Sequence, residues 1–433
     1  MDRILARDHK LKDSVNCRTL ALALLPLVWG VSHVPAQSWT LTSAPLTNWT
    51  CLASSADGMR LVAAGWGPGG IEADPGPIYT STNGGNSWTG VAPIFGASGW
   101  WEPLMNWRSV ASSADGTTLF AVGEAPGDDG FSVPVFLSTN AGATWEEAGT
   151  NNLDSSWSWV AASADGNKVV AFASYPPGMY LSTNSGATWT LMSVTNAFFG
   201  AWSADGTTLV VGGWTLAVSR NLGATWTTAG FTNVNWSSVA ASADGSKLVA
   251  TASPGLIYTS MDAGTTWAAA RGPSNYWTAV ASSADGTKIV ATAGYYGSTN
   301  GMPIYTSTDS GITWTSNNAP DVCWVSVASS ADGCKVVASE YGRGPGSNVG
   351  AYGGIYGWQT IPEPVLSLVP SSTNLLVSWT VPSMATVLQQ SSSLAEAHWT
   401  DVGVEVTLNY SNLKQEVRLQ PAAGPLFYRL ASR

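Results

Sequence analysis

The chain has 433 residues, of which 45% are hydrophobic and 11% are charged, so it carries enough apolar side chains for a folded core and is not a disordered polypeptide. Its 18 Lys and Arg residues against 28 Asp and Glu residues give a formal net charge of −10, which argues against general affinity for nucleic acid or anionic membranes. The 46 Gly and 23 Trp residues recur at regular intervals, which predicts a repeat architecture.

Residues 1–36 have the features of a secretory signal peptide. Basic residues precede an apolar run at positions 19–31, and Val34-Pro35-Ala36 places small residues where a signal peptidase cleaves. The apolar run is shorter than the roughly 20 residues that a membrane span requires. We therefore expect cleavage near Ala36 and a secreted, extracellular or periplasmic protein with no membrane insertion.

Three cysteines remain after that cleavage, namely Cys51, Cys323 and Cys334. Their odd number and wide spacing predict neither a disulfide framework nor a metal site, and their pairing state is left open. None of them lies beside a His in the sequence, so none is expected to be a catalytic nucleophile. The sequence predicts no cofactor.

The tetrapeptide Ser-Ala-Asp-Gly occurs seven times, at intervals of 39 to 58 residues. In six copies a Trp stands eight residues before the Asp, and in the fourth copy Ala197 takes that place. Asp-Gly between two β-prone runs predicts a two-residue hairpin turn with positive φ at both positions, so each copy predicts two strands of one propeller blade. The turn aspartates are Asp57, Asp115, Asp165, Asp205, Asp244, Asp285 and Asp332.

A second motif follows each of the first six copies, as in Ser138-Thr139-Asn140-Ala141-Gly142-Ala143-Thr144-Trp145. The pattern Ser-x-Asp/Asn-x-Gly-x-Thr/Ser-Trp resembles the Asp-box, or BNR repeat, of the sialidase-like propeller superfamily. The resemblance implies an all-β β-propeller with the boxes on the face opposite the ligand site, and the seven Ser-Ala-Asp-Gly copies predict seven blades over residues 37–361. The boxes end at Trp88, Trp145, Trp189, Trp226, Trp267 and Trp314.

The seventh copy is not followed by a box, so its fourth strand must come from elsewhere. Trp39 precedes Trp49 by ten residues, the interval that also separates Trp226 from Trp236. We therefore expect the strand Ser38 to Thr40 to pair with the strand Ile355 to Trp358, because closure of the ring removes the exposed sheet edges.

The chain changes character at its C-terminal end. Residues 362–433 contain no box and have short alternating segments such as Leu375 to Trp379. This segment resembles the small fibronectin type III-like modules of bacterial secreted proteins. The resemblance implies a small β-sandwich that serves as a spacer or an anchoring domain.

Long loops mark the predicted binding face. The interval from turn Asp to box Trp is 29 to 31 residues in blades 6, 1 and 2 and 21 to 24 residues in blades 3 to 5. Blades 6, 7, 1 and 2 are consecutive in a closed ring, so their loops predict one raised arc, and such loops on a rigid scaffold often carry function. The predicted ligand-binding residues are Trp66, Trp100, Trp101, Tyr295, Tyr296, Tyr341 and Arg343.

Aromatic side chains beside carboxylates on this arc are typical of a carbohydrate site, and the resemblance to Asp-box propellers also implies a protein partner. We expect a non-catalytic, monomeric protein that binds a polysaccharide, a cell-surface glycan or a protein partner. The alternative is a glycoside hydrolase with paired carboxylates, for which Glu102, Asp128 and Glu340 are the candidates. Sialidase activity is not favoured, because only five arginines lie between residues 37 and 362 and the Arg-Ile-Pro motif is absent.

Overall fold

The computed structural model describes residues 38–66, 76, 78–91, 105–124, 133–149, 155–193, 196–294, 301–342, 352–360, 365–370, 374–393, 398–420 and 426–432. Within these ranges the regular secondary structure consists of β-strands. The strands form seven consecutive four-stranded antiparallel sheets followed by two further sheets. The seven sheets are the blades of a β-propeller, and the last two form a small β-sandwich. No helix among the described residues is long and apolar enough to cross a membrane.

Blades 1 to 6 each use four strands that follow one another in the chain. Blade 1 consists of Asn48–Ser54, Leu61–Trp66, Ile78–Ser81 and Thr89–Val91. Blade 2 consists of Asn106–Ser112, Leu119–Glu124, Phe136–Ser138 and Glu146–Glu147. Blade 3 consists of Ser156–Ala162, Val169–Tyr175, Pro177–Ser182 and Thr190–Met192.

The next three blades are built in the same way. Blade 4 consists of Ala197–Trp202, Leu209–Gly213, Ala217–Ser219 and Thr227–Thr228. Blade 5 consists of Trp236–Ala241, Leu248–Ala252, Ile257–Ser260 and Ala268–Ala269. Blade 6 consists of Trp277–Ser282, Ile289–Ala293, Tyr305–Ser307 and Thr315–Ser316.

Blade 7 joins the two ends of the propeller, and the β-sandwich follows it. Blade 7 consists of Trp324–Ser329, Lys335–Glu340, Ile355–Gln359 and the N-terminal strand Thr40–Leu41. One sheet of the sandwich consists of Ser367–Pro370, Leu375–Thr380, Lys414–Leu419 and Thr407–Asn409. The other consists of Thr400–Asp401, Thr386–Ser391 and Phe427–Ser432.

A closed ring of backbone hydrogen bonds joins the seven blades at the centre. The first strands of neighbouring blades contact each other, so they line the middle of the molecule. After each first strand, the Ala of Ser-Ala-Asp-Gly donates its N–H to the carbonyl of the corresponding Ala in the next blade, at 2.7 to 3.1 Å. The bond from Ala331 to Ala56 completes the circle. The ring contains Ala56, Ala114, Ala164, Ala204, Ala243, Ala284 and Ala331.

The Ser-Ala-Asp-Gly turns differ from the predicted two-residue hairpin. In blade 1 Gly58 has a φ of 69°, whereas Asp57 is not among the residues with positive φ. Ser55 donates its N–H to the carbonyl of Arg60, so four residues and not two form the loop. The reason is the serine: its hydroxyl donates to Oδ1 of Asp57 at 2.5 Å and accepts from the N–H of Arg60 at 2.9 Å. These side-chain bonds stabilise a longer turn that Asp-Gly alone would not form.

The N-terminal segment closes the propeller as predicted, but its strand is Thr40–Leu41 and not Ser38 to Thr40. Thr40 and Leu41 pair with Gly357 and Tyr356 in antiparallel register. The indole of Trp39 is buried and stacks on Trp358 with ring centroids 6.2 Å apart. Trp39 therefore fills in blade 7 the place that a box tryptophan fills in the other blades.

Tryptophans at the start of the first strands tie the blades together. Trp107 and Trp157 in the first strands of blades 2 and 3 are fully buried, and their indole N–H groups donate to the carbonyls of Gly76 and Val133 in the preceding blade. Trp277 and Trp324 repeat this contact in blades 6 and 7. A buried indole N–H needs such an acceptor, so each of these bonds also fixes a loop of the neighbouring blade.

Hydrogen bonds set the charge state of the turn carboxylates. Burial by itself raises the pKa of Asp165, but hydrogen bonds from the Ser163 hydroxyl and from Asn167 together outweigh it and hold this pKa below its ordinary value. The same balance lowers the pKa of Asp115, Asp205, Asp244 and Asp285. These carboxylates are therefore ionised acceptors that hold the turns together.

Replacing Trp39 by Ala tests the closure. The change removes a buried indole at the junction of the two ends, and we expect it to lower the free energy of unfolding by about 3 to 5 kcal/mol. Leu41→Ala in the same strand is the control, because this side chain is 53% exposed and its loss should change stability little. Urea unfolding measures both values, and equal, small losses for the two variants would contradict closure by this strand.

Acid should destabilise the protein through the turn carboxylates. Because their folded-state pKa values lie below those of the unfolded chain, their contribution is complete above about pH 4 and is lost as the pH falls further through the folded values. Ser163→Ala removes one hydrogen bond to Asp165 and should cost about 1 kcal/mol at pH 7. We expect that difference in unfolding free energy to shrink at pH 3, and a loss that is the same at both pH values would contradict this account.

Candidate binding face

The propeller has two chemically different faces. One face, here called the turn face, carries the Ser-Ala-Asp-Gly turns together with the box turns, since in blade 1 the N–H of Gly84 in the box donates to the carbonyl of Met59 beside the Asp-Gly turn. The opposite face, here called the open face, carries the connections between second and third strands and those between blades. The β-sandwich packs on the centre of the turn face, where Val381 lies against the alanine ring. The open face is therefore the candidate binding surface.

One position recurs on the open face in every blade and is here called the rim position. The rim position is the last residue of the second strand or the residue directly after it. Its backbone pairs with the first residue of the first strand or with the residue directly before that strand. In blade 4, for example, the N–H of Trp214 donates to the carbonyl of Asn196 at 3.0 Å. The rim residues are Trp66, Glu124, Tyr175, Trp214, Ser253, Gly294 and Tyr341.

Two neighbouring rim residues are large and strongly exposed. The side chain of Tyr175 in blade 3 is 74% exposed, and that of Trp214 in blade 4 is 68% exposed. The ring of Phe198 meets the Trp214 indole edge-on, with centroids 5.7 Å apart. Exposed aromatics of this size are unfavourable in water and are typical of residues that anchor a binding partner.

Blade 2, the neighbour of blade 3, carries a pair of charged groups on the open face. The guanidinium of Arg108 in the first strand forms an ion pair with the rim carboxylate of Glu124. Both side chains are partly exposed, so the pair contributes little to stability. Blade 2 packs directly against blade 3, so the open face carries this ion pair on the blade that neighbours Tyr175.

Glu340 is held by the backbone of its own blade. It pairs with Trp324 across the inner hairpin of blade 7, and its Oε1 accepts a hydrogen bond from the N–H of Gly354 at 2.9 Å. Burial raises the pKa of Glu340, and burial together with the Glu340 charge raises the pKa of Tyr356. The carboxylate thus has a structural bond and a raised proton affinity at once.

Most of the sequence-predicted site residues lie outside the described residues and stay predictions. Trp66 and Tyr341 occupy rim positions on the open face, where the sequence predicted ligand-binding residues. No group of three or more His, Cys, Asp or Glu side chains suited to a metal is present in the described part of the chain. The predicted residues outside it are Trp100, Trp101, Glu102, Asp128, Tyr295, Tyr296 and Arg343.

Tyr175 and Trp214 were not predicted from the sequence, because loop length indicated a binding site on blades 6, 7, 1 and 2. Blades 3 and 4 have short loops, and short loops leave a rim side chain uncovered. A usable signal was present: Trp214 stands nine residues after Asp205, as Trp66 does after Asp57. In blade 3 the register shift moves the pairing one residue further, to Tyr175.

Comparison with known proteins shows the fold. A structure described as YCF48 bound to D1 peptide has a TM-score of 0.52 and 15% identity, covering 78% of this chain and 100% of its own. The Cps50 (Swd1) β-propeller domain of Myceliophteria thermophila has a TM-score of 0.53 and 11% identity over 75% of this chain and 99% of its own. A chain of the mitotic checkpoint complex has a TM-score of 0.54 and 14% identity over 80% and 99%. No protein-family model and no curated protein matches the sequence.

Proposed function

We propose that this protein is a secreted, non-catalytic binding protein that takes a peptide or protein partner on the open face of its propeller. The observation that carries the proposal is the pair of exposed aromatic side chains, Tyr175 and Trp214, at equivalent positions of adjacent blades. Secretion rests on the signal-like segment of residues 1–36. The box motifs and the C-terminal β-sandwich support assignment as an Asp-box propeller with a fibronectin type III-like module.

Three features favour a polypeptide over a glycan. Trp and Tyr are enriched among residues that dominate protein interfaces, and the adjacent blade 2 carries an ion pair that offers both signs of charge to a partner. The β-propeller is a fold that builds protein-interaction scaffolds, and one structure similar to this chain is described as bound to a peptide. Glycan binding, the other candidate from the sequence, is an outcome of the test.

The test starts with the mature chain on a random peptide array and on a glycan array. For a peptide that binds, Trp214→Ala or Tyr175→Ala should weaken affinity by about 1 to 3 kcal/mol, because truncation removes a hot-spot contact. Leu191→Ala is the matched control, since this side chain is 61% exposed on the outer strand of blade 3. Binding to glycans alone, or peptide affinity unchanged in both aromatic variants, would contradict the proposal.

A glycoside hydrolase is the second candidate because of Glu340. Burial raises its pKa, as a proton-donating carboxylic acid requires. The partner carboxylate would be Glu102 or Asp128, both outside the described residues.

Turnover assays separate the two functions. For a binding protein we expect no reducing sugar to be released from a panel of soluble polysaccharides, and Glu340→Gln should keep most of the affinity for any partner. Glu102→Gln and Asp128→Asn extend the test to the other predicted acids. Release of reducing sugar that one of these changes abolishes, while substrate still binds, would establish the hydrolase.

A further inference from the structure

One end of the β-sandwich, here called the tip, packs on the centre of the turn face. The tip consists of Val381, Ser383, Leu408, Tyr410 and Leu413. Val381, 5% exposed, is buried in one cluster with the ring alanines, and Leu408, Tyr410 and Leu413 pack around it. An apolar contact of this kind is non-directional. Seven nearly equivalent alanines would therefore accept the tip in several orientations.

Two hydrogen bonds distinguish one orientation from the others. The N–H of Ser383 donates to Oδ2 of Asp332 in blade 7 at 2.7 Å. The hydroxyl of Tyr410 donates to Oδ2 of Asp115 in blade 2 at 3.0 Å. Blade 1 lies between these two blades, so the two bonds hold the tip at two different points of the ring.

The other turns differ in what their second carboxylate oxygen contacts. In blades 3, 4 and 6 the side chain two positions after the Asp donates to Oδ2 of that Asp, as Asn167 does to Asp165 at 2.8 Å. In blade 2 the Thr117 hydroxyl donates to Oδ1 of Asp115 instead, and in blade 7 the corresponding residue is Cys334. Within its own turn Oδ2 accepts no such bond in Asp115 and Asp332, nor in Asp57 and Asp244, because Met59 has no side-chain donor and Ser246 donates to Oδ1. Of these four carboxylates, Asp115 and Asp332 are the ones that receive the bonds from the sandwich.

The exit of the chain from blade 7 agrees with this arrangement. The N–H of Thr360 donates to the carbonyl of Cys334 at 2.7 Å, directly beside the Asp332 turn. The side-chain amide of Gln359 donates to the carbonyl of Ser383 at 3.4 Å. The chain therefore leaves the last propeller strand beside Asp332, whose carboxylate accepts the hydrogen bond from Ser383.

We propose that the turn face is an intramolecular docking surface for the tip of the β-sandwich, on which Asp115 and Asp332 select one orientation out of seven. The sandwich is then a fixed cap over one end of the propeller and not a freely moving spacer. Because the cap occupies the turn face, a partner reaches only the open face.

Distance measurement between two spin labels tests the single orientation in the full mature chain. The labels replace exposed Thr228 in blade 4 and exposed Val404 in the sandwich by Cys, and Cys323→Ser removes the one partly exposed native thiol among the described residues. We expect one narrow distance distribution. A broad distribution in the otherwise unchanged protein, or a distance that depends on protein concentration, would overturn the proposal.

Variants of the tip then identify the determinants. Val381→Asp places a charge against the alanine ring and should broaden the distribution, whereas Val406→Asp, at an exposed valine of the same sandwich, should leave it narrow. Tyr410→Phe keeps the ring and removes only the hydroxyl, so we expect the sandwich to stay folded and further label-to-label distances to appear. This variant therefore tests the orientation even if Val381→Asp unfolds the sandwich. An unchanged narrow distribution in Tyr410→Phe would contradict the role of Asp115.

Discussion

The structure depends on the circle of seven alanine N–H to C=O hydrogen bonds at the centre of the propeller. Each bond joins two blades, and the last one, from Ala331 to Ala56, exists only if the first and last blades meet. The N-terminal strand of blade 7 and the buried Trp39 secure the same closure at the outer edge.

The ring explains why the two faces have different roles. Ser-Ala-Asp-Gly is needed in every blade, because Ala makes the ring bond while Ser and Asp hold the turn with side-chain hydrogen bonds. This face is consequently uniform, apolar at its centre and suited to a cap. The open face carries no such constraint, so its rim residues range from Gly294 to Trp214. Because the rim side chains are not required for folding, this face can vary in sequence and carry binding residues.

The candidate site was only partly predictable from the sequence. Trp66 and Tyr341 were predicted on the open face, since they follow turns of blades with long loops, and both lie at rim positions. Tyr175 and Trp214 were not, because exposure depends on which neighbouring loop fails to cover a side chain. Glu340 was a candidate acid by its place in a loop-rich blade, but its bond to Gly354 and its burial depend on the fold of blade 7.

The sequence by itself determined the repeat, the seven units, the all-β class and the closing strand. It could do so because turns, strand alternation and tryptophan spacing are local properties that recur in every repeat. A copy that departs from the pattern, such as the fourth with Ala197, is still recognised from the other six. Tertiary structure alone decided the four-residue turns, the alanine ring and the seat of the β-sandwich. Those features join residues far apart in the chain, as Tyr410 and Asp115 show, and no local pattern encodes which distant residue an acceptor meets.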